Sequence, residues 1–189
     1  MNKQLTFLLS LTFLFLFSGS SVVFGDDWND GVIAYIKKDY KEAYKLWLPL
    51  AEQGNAKAQY NLGLMYVNGQ GVPQDDKEAV RWFRLSAEQG YAFAQYSLGL
   101  MYANGEGVPQ DYKEAVKWFR LSAEQGIAEA QHNLGSMYSN GLGVPQDHKE
   151  AVKWFRLSAE QGNTKVQLIL GALYDHGLGV PQDHKEAVR

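Results

Sequence analysis

The 189-residue chain contains no cysteine. Disulfide bonds are therefore excluded, and so is a lipid-modified signal sequence, which needs a cysteine at its cleavage point. The chain also lacks an excess of basic residues, since 18 lysines and arginines stand against 21 aspartates and glutamates, for a net charge of −3. Because charges of both signs are mixed and form no basic stripe, the sequence argues against nucleic-acid binding.

A hydrophobic run occurs at the N-terminus and differs in composition from the rest of the chain. Lys3 supplies a short positive region, Leu5–Phe17 is mostly apolar, and a plausible cleavage site precedes Asp26. The run is shorter than the roughly 20 apolar residues that span a bilayer. We therefore predict a secretory signal peptide over 1–25, no stable membrane insertion after cleavage, and export to the bacterial periplasm, with extracellular secretion as the alternative.

What the rest of the chain contains is a repeat with a fixed step of 36 residues. The block VPQDxKEAV begins at Val72, Val108, Val144 and Val180. The motif AEQG ends with the same step at Gly54, Gly90, Gly126 and Gly162. A constant period in this range predicts a solenoid of stacked units.

Each unit reads as two helices joined by turns. Asp75 stands at a helix N-cap, and Glu78 is placed to complete a capping box. Apolar residues over 79–87 then recur at three- and four-residue steps, and a second helical pattern covers about 92–103. One such αα-hairpin cannot cover its own apolar face, so we predict an all-α solenoid of stacked αα-hairpins.

The repeats divide residues 26–189 into five units. They are a divergent first repeat (26–54), full repeats (55–90, 91–126 and 127–162) and a truncated last repeat (163–189). The last unit lacks the WFRLSAEQG half of its second helix. We therefore expect either a fragment or an uncapped end, which leaves the side of Trp154 and Phe155 under-covered and favours self-association.

Three consecutive motifs make up the repeat: A-x-x-x-L-G-x-x-Y, then N-G-x-G-V-P-Q-D, then K-E-A-V-x-W-F-x-x-S-A-E-Q-G. Together they resemble the Sel-one-like repeats, close relatives of the tetratricopeptide repeat, over nearly all of residues 28–189. The resemblance implies an adaptor that binds proteins or peptides and helps to assemble complexes. Several secreted members of the family staple each hairpin with a disulfide, which this chain cannot do.

Catalytic and metal-binding patterns are weak. The motif S-x-x-K is absent, and Ser86, Ser122 and Ser158 are each followed by Ala-Glu-Gln, with no base at catalytic spacing. His148 and His184 occupy the same position of successive units, about 10 Å apart and too far to share a metal ion. We therefore predict no enzyme, no metal and no cofactor, with a hydrolase as the weakest alternative.

The candidate binding residues are those that differ between copies of the first helix. In each unit these positions fall three or four residues apart, on a face other than that of Ala58, Leu62 and Tyr66. We expect this face to line a concave groove that binds an extended peptide or a partner helix. The candidates are Lys57, Tyr60, Asn61, Leu64, Phe93, Tyr96, Ser97, Leu100, Glu129, His132, Asn133 and Leu168.

The sequence thus predicts an exported, non-enzymatic adaptor that binds a protein or peptide partner. Binding of a carbohydrate or a cell-wall fragment by the tyrosines is the alternative. We expect alanine at Tyr60, Tyr96 and His132 to abolish partner capture and to leave the melting temperature nearly unchanged, because tyrosines on a groove wall supply much contact area.

Export gives a direct test. When the full chain is expressed in a bacterium, we expect the periplasmic fraction to contain a protein whose first residue is Asp26, as measured by N-terminal sequencing and intact mass. A Leu14→Arg variant interrupts the apolar run and is expected to stay uncleaved in the cytoplasm. Recovery of the uncleaved wild-type chain from the cytoplasm alone would contradict the signal-peptide prediction.

Overall fold

The computed structural model describes residues 24–183, with side chains from residue 27 onward. Nearly all of the predicted signal peptide lies outside this range, as do residues 184–189. Within it, helices follow one another and no strand occurs, which confirms the all-α class. The helices are α1 (Phe24–Ile36), α2 (Tyr40–Glu52), α3 (Ala56–Asn68), α4 (Asp76–Glu88), α5 (Ala92–Asn104), α6 (Tyr112–Glu124), α7 (Ala128–Asn140), α8 (His148–Glu160) and α9 (Thr164–His176).

The hydrophobic core lies between repeats. Each helix packs against the next one in chain order. Buried side chains of α6 and α7 share one cluster, and Trp154 of α8 reaches into the same cluster. The cluster before it is built in the same way from α4 and α5, with Trp118 of α6. Each repeat therefore covers the apolar face of its neighbour, as the repeat pattern predicts.

A close approach of two helices positions the central phenylalanine of each repeat. Phe119 of α6 is 1% exposed, and its ring lies against Gly99 of α5. A Cβ atom at Gly99 would lie 2.6 Å from Cδ1 of that ring, which is too close for any other residue. The same contact joins Gly63 to Phe83. The glycine of the L-G motif therefore makes room for an aromatic ring.

Buried polar side chains connect the helices through hydrogen bonds. The Ser122 hydroxyl donates to the Ala92 carbonyl at 2.8 Å, and the Gln95 amide donates to the Ala87 carbonyl at 3.2 Å. Gln125 in turn donates to Oε1 of Gln95 at 2.7 Å. Buried polar groups need such partners, so the serine and the glutamine of the S-A-E-Q-G motif serve to connect helices by hydrogen bonds. This agrees with a structural role for the repeated serines.

The N-caps form as predicted, but the capping box does not close. Oδ1 of Asp75 accepts from the backbone N–H groups of Lys77 and Glu78 at 2.9 and 3.1 Å. The Asp75 N–H donates to the Tyr66 carbonyl at 3.1 Å and so needs no side-chain partner. The Glu78 carboxylate instead accepts from Arg81 at 3.0 Å. The backbone N–H of Asp75, which a capping box would pair with Glu78, is thus already bonded to the preceding helix.

The C-terminal part of the described chain differs from the expectation. Trp154 and Phe155 are 6% and 2% exposed, so the prediction that this side is under-covered is wrong. Among the described residues of this part, Leu168 of α9 is the most exposed large apolar side chain, at 78%. The backbone N–H of Asp183 donates to the Tyr174 carbonyl at 3.0 Å, as that of Asp75 does to the Tyr66 carbonyl. Self-association at this end stays a prediction.

The loop glycines provide a test of how closely repeats pack. Gly90 and Gly107 both have positive φ, at 88° and 69°. A Cβ at Gly90 meets nothing within 4 Å, whereas one at Gly107 would overlap the Asp76 carbonyl of the preceding repeat. We expect Gly90→Ala to lower the free energy of unfolding by about 1–2 kcal/mol through backbone strain alone. Gly107→Ala should lower it by a further ~1–3 kcal/mol, because the loop must move away from α4.

Urea unfolding of both variants, followed by circular dichroism, measures the difference. Gly90→Ala is the matched control, since it shares the backbone conformation without the contact. Equal losses in the two variants would show that the loop does not hold the repeats together.

Candidate partner-binding site

The candidate residues lie on the first helices of the repeats, in two lines that run across α3, α5, α7 and α9. The outer line consists of Lys57, Phe93, Glu129 and Lys165, which are all exposed. The inner line consists of Tyr60, Tyr96, His132 and Leu168, of which the first three are half-buried. Because outer and inner residues of a helix are three positions apart, they are neighbours on its surface.

Three aromatic rings meet at the boundary between the second and third repeats. The Tyr60 ring centroid lies 5.3 Å from that of Tyr91 and 6.2 Å from that of Phe93, and the Tyr91 and Phe93 centroids are 5.8 Å apart. These three residues form the aromatic cluster of the site. Phe93 is 47% exposed, so the cluster presents an apolar surface to solvent.

Tyr91 belongs to the site although the sequence prediction did not include it. It occupies the N-cap position of α5 and makes no side-chain capping bond, whereas Asn55 caps α3 by accepting from the Ala58 N–H at 3.0 Å. Losing such a cap costs about 1 kcal/mol. Ile127 of α7 lacks the cap as well, so what distinguishes Tyr91 is the contact of its ring with Tyr60 and Phe93.

The inner line packs against the central phenylalanines. The ring centroids of Tyr60 and Phe83 are 5.8 Å apart, and those of Tyr96 and Phe119 are 6.0 Å apart. His132 lies at 6.0 Å from Phe155. Inner-line residues therefore cover the core as well as facing the site. This contradicts the expectation that alanine at these positions leaves the melting temperature unchanged.

The titratable groups of the inner line stay uncharged at neutral pH. Burial, and then the neighbouring Tyr91, raises the pKa of the Tyr60 hydroxyl, while nearby Ser97 opposes the rise. Burial, and then the charge of Glu129, raises the pKa of Tyr96. Burial and the adjacent Lys165 lower the pKa of His132 below its ordinary 6.5. The inner line therefore offers neutral hydrogen-bonding groups between charged outer residues.

The remaining candidates divide into two groups. Leu64 and Leu100 are half-buried and pack against hydrophobic clusters of the core. Asn61, Ser97 and Asn133 are half-buried on the first helices, and the last two lie beside the tyrosine hydroxyls of the preceding repeat. The leucines therefore act mainly in packing, and the small polar residues support the inner line.

The second helices carry a different surface, with nearly the same residues in each full repeat. The Arg84 guanidinium donates to the Tyr102 hydroxyl of the next repeat at 2.6 Å. The same pairing recurs in Arg120 with Tyr138 and in Arg156 with Tyr174. The neighbouring charges form salt bridges, as between Arg81 and Glu78 at 3.0 Å. The arginine–tyrosine pairs therefore join neighbouring repeats, and the salt bridges lie within single helices.

Two kinds of site are missing from residues 24–183. No three histidine, aspartate or glutamate side chains come together there in a way that could hold a metal ion. None of the helices in this range has the length and hydrophobicity needed to cross a bilayer.

The double role of the inner line can be tested at Tyr60. Tyr60→Ala removes a half-buried ring from Phe83, and we expect the free energy of unfolding to fall by about 2 kcal/mol. Tyr60→Phe keeps the ring and should cost less than ~1 kcal/mol. Urea unfolding of the two variants gives both values. An unchanged unfolding midpoint in Tyr60→Ala would restore the original expectation that this residue serves binding alone.

Comparison with solved structures identifies the same architecture in other proteins. A protective antigen of uropathogenic Escherichia coli, c5321, which displays an SLR fold, superposes with a TM-score of 0.83 at 38% identity over 87% of this chain and 36% of its own. A Sel1 repeat protein from Oxalobacter formigenes gives 0.82 at 37% identity over 85% and 66%. The chain thus spans about a third of the length of the first relative and about two thirds of the length of the second.

A more distant likeness shows the fold alone. Helicobacter pylori cysteine rich protein B superposes with a TM-score of 0.54 at 21% identity, over 69% of this chain and 94% of that protein. No curated protein matches the chain. The family model described as Sel1 repeat matches residues 29–55, 56–91, 92–127, 128–163 and 165–189. Its repeats cover nearly all of the sequence after the predicted signal peptide, and the chain belongs to the Sel1 repeat family.

Proposed function

We propose that this chain is an exported, non-enzymatic adaptor that binds a segment of a protein partner along the outer and inner lines of its first helices. The observation that carries the proposal is a contrast between two surfaces. The second helices repeat the same residues and engage them in bonds between and within repeats. The first helices vary along two lines and leave their outer residues exposed.

The family supports the general part of this proposal. Sel1 repeats generally mediate protein–protein interaction on a non-enzymatic scaffold. The first helices of a solenoid lie side by side, so a partner that follows them contacts several repeats at once. Many modest contacts in a row suit an extended protein segment better than a small metabolite.

The aromatic cluster is the expected centre of binding. Binding energy concentrates in large, rigid side chains near the middle of an interface, and aromatic residues are enriched among them. Phe93 is 47% exposed, and its ring packs against both Tyr60 and Tyr91. Its ring is therefore oriented before a partner arrives, which lowers the entropy cost of binding.

An exposed ring of this kind is also the feature that favours the second candidate function, binding of a carbohydrate or cell-wall fragment. Sugars can lie on an aromatic face, and Phe93 offers one. Among the described residues the aromatic cluster is confined to one repeat boundary, while the two lines continue along four helices. The length of the lines favours a protein segment.

Site-directed photocrosslinking tests the proposal. A photoreactive phenylalanine analogue is placed at Phe93 in the full chain, and at Leu121 of α6 as the matched control. The two positions are 47% and 38% exposed, on a first and a second helix respectively. After irradiation in an extract of the bacterial cell envelope, we expect a protein adduct from Phe93 and none from Leu121, as detected by gel shift and mass spectrometry.

Two results would contradict the adaptor function at this site. An adduct from Leu121 with none from Phe93 would place the partner on the second helices. If purified muropeptides instead change the tyrosine fluorescence, if Phe93→Ala removes the change, and if no protein adduct forms, the carbohydrate alternative is correct.

A further inference from the structure

The charges of the outer line follow a definite order across the repeats. From α3 to α9 they read positive, apolar, negative and positive, at Lys57, Phe93, Glu129 and Lys165. Among residues 24–183 the salt bridges involve only second-helix residues, as between Lys117 and Glu114 at 3.2 Å. The outer-line charges are therefore exposed and free of ion pairs within the described chain.

The order of these four positions follows from the stacking of the repeats, because each helix packs against the next one in chain order. The Tyr60 and Phe93 rings lie 6.2 Å apart and join α3 to α5. The charge of Glu129 acts on Tyr96, which joins α5 to α7. The charge of Lys165 acts on His132, which joins α7 to α9. The outer residues therefore follow one another along the stack of repeats. Their charges form a fixed order on the protein surface.

We propose that the site recognises an extended protein segment that carries, in order, an acidic, a large apolar, a basic and an acidic side chain. The acidic side chains face Lys57 and Lys165, the apolar side chain lies on Phe93, and the basic side chain faces Glu129. This inference rests on the proposed function and states the chemistry of the partner at the same site.

The spacing of that segment follows from packing geometry. Side chains of α3 and α5 touch at Tyr60 and Phe93, and helices that pack through their side chains lie about 8–10 Å apart. An extended chain advances about 3.3 Å per residue, so one repeat corresponds to about three residues of the partner. Four outer positions then span roughly ten residues. Charges at the edge of an interface act mainly on specificity and association rate, so the charge order selects between partners that share the apolar anchor.

Synthetic peptides test this directly on the full chain. The ordered probe is a fluorescein-labelled ten-residue peptide with aspartate at its first and tenth positions, leucine at its fourth and arginine at its seventh, with serine elsewhere. A second ordered probe has the opposite chain direction. The third probe, called the reversed probe, keeps the chain direction and the leucine of the ordered probe but has the opposite charge at each charged position: basic at the first and tenth, and acidic at the seventh. By fluorescence anisotropy at low salt, we expect one of the ordered probes to bind at least tenfold tighter than the reversed probe.

Charge-exchange variants make the assignment specific. Glu129→Lys should weaken binding of the ordered probe about tenfold and should restore it for a probe with glutamate at its seventh position. Lys117→Glu on α6 is the matched control, because Lys117 is exposed but belongs to the second-helix surface, and this variant should leave all affinities unchanged. All these positions are exposed, so circular dichroism should show an unaltered fold.

The outcomes separate this inference from the proposed function. If the ordered and reversed probes bind equally, or if none of the probes binds, the charge order is overturned, while a protein adduct at Phe93 would still support the adaptor function. If Glu129→Lys changes no affinity but Lys117→Glu does, the outer line is not the recognition surface. An absent Phe93 adduct would instead overturn the proposed function itself.

Discussion

The contact on which this structure depends is that of one phenylalanine ring with the glycine of the facing helix. Phe119 is held against Gly99, and its buried ring extends into the core shared with the next repeat. A larger residue at the glycine would separate the two helices of the unit, and a smaller residue at the phenylalanine would leave a cavity. Because every full repeat uses this pair, the cores stay in one register along the stack. The polar bonds of Ser122 and Gln125 then satisfy the buried groups around them.

The same contact explains how much could be predicted from the sequence. The helices, their N-caps and the stacking follow from local periodicity, which repeats in each unit. The capping box failed because the Asp75 N–H is used by Tyr66, a partner nine residues away that no local pattern shows. The burial of Trp154 and Phe155 was missed because it depends on contacts between repeats: Trp154 packs into the cluster of α6 and α7, and Phe155 packs against residues of α9.

The site was predicted in outline for a different reason. Positions that vary among copies of a repeat are on average less constrained by packing, so comparing units within one chain predicted a candidate face, whose outer residues are exposed. That comparison cannot show how deeply a side chain is buried. Tyr60, Tyr96 and His132 vary, yet each lies on a central phenylalanine and contributes to the core. Tyr91 and Lys165 were left out of the candidates, although Lys165 occupies the same repeat position as Lys57 and the ring of Tyr91 contacts Tyr60.

The inner and outer lines therefore divide the work of the first helices. Under the proposed function, changes at Tyr60, Tyr96 or His132 alter stability and binding together, because these rings pack on the core and are only half-buried. Changes in the outer line alter the surface alone, since Lys57, Glu129 and Lys165 are exposed and make no ion pair within the described chain. A duplicated scaffold can then acquire a new partner through substitutions in the outer line at little cost in folding free energy. The aromatic cluster is the exception, because Phe93 of the outer line packs against Tyr60 and Tyr91, so a substitution there also changes contacts that join two repeats.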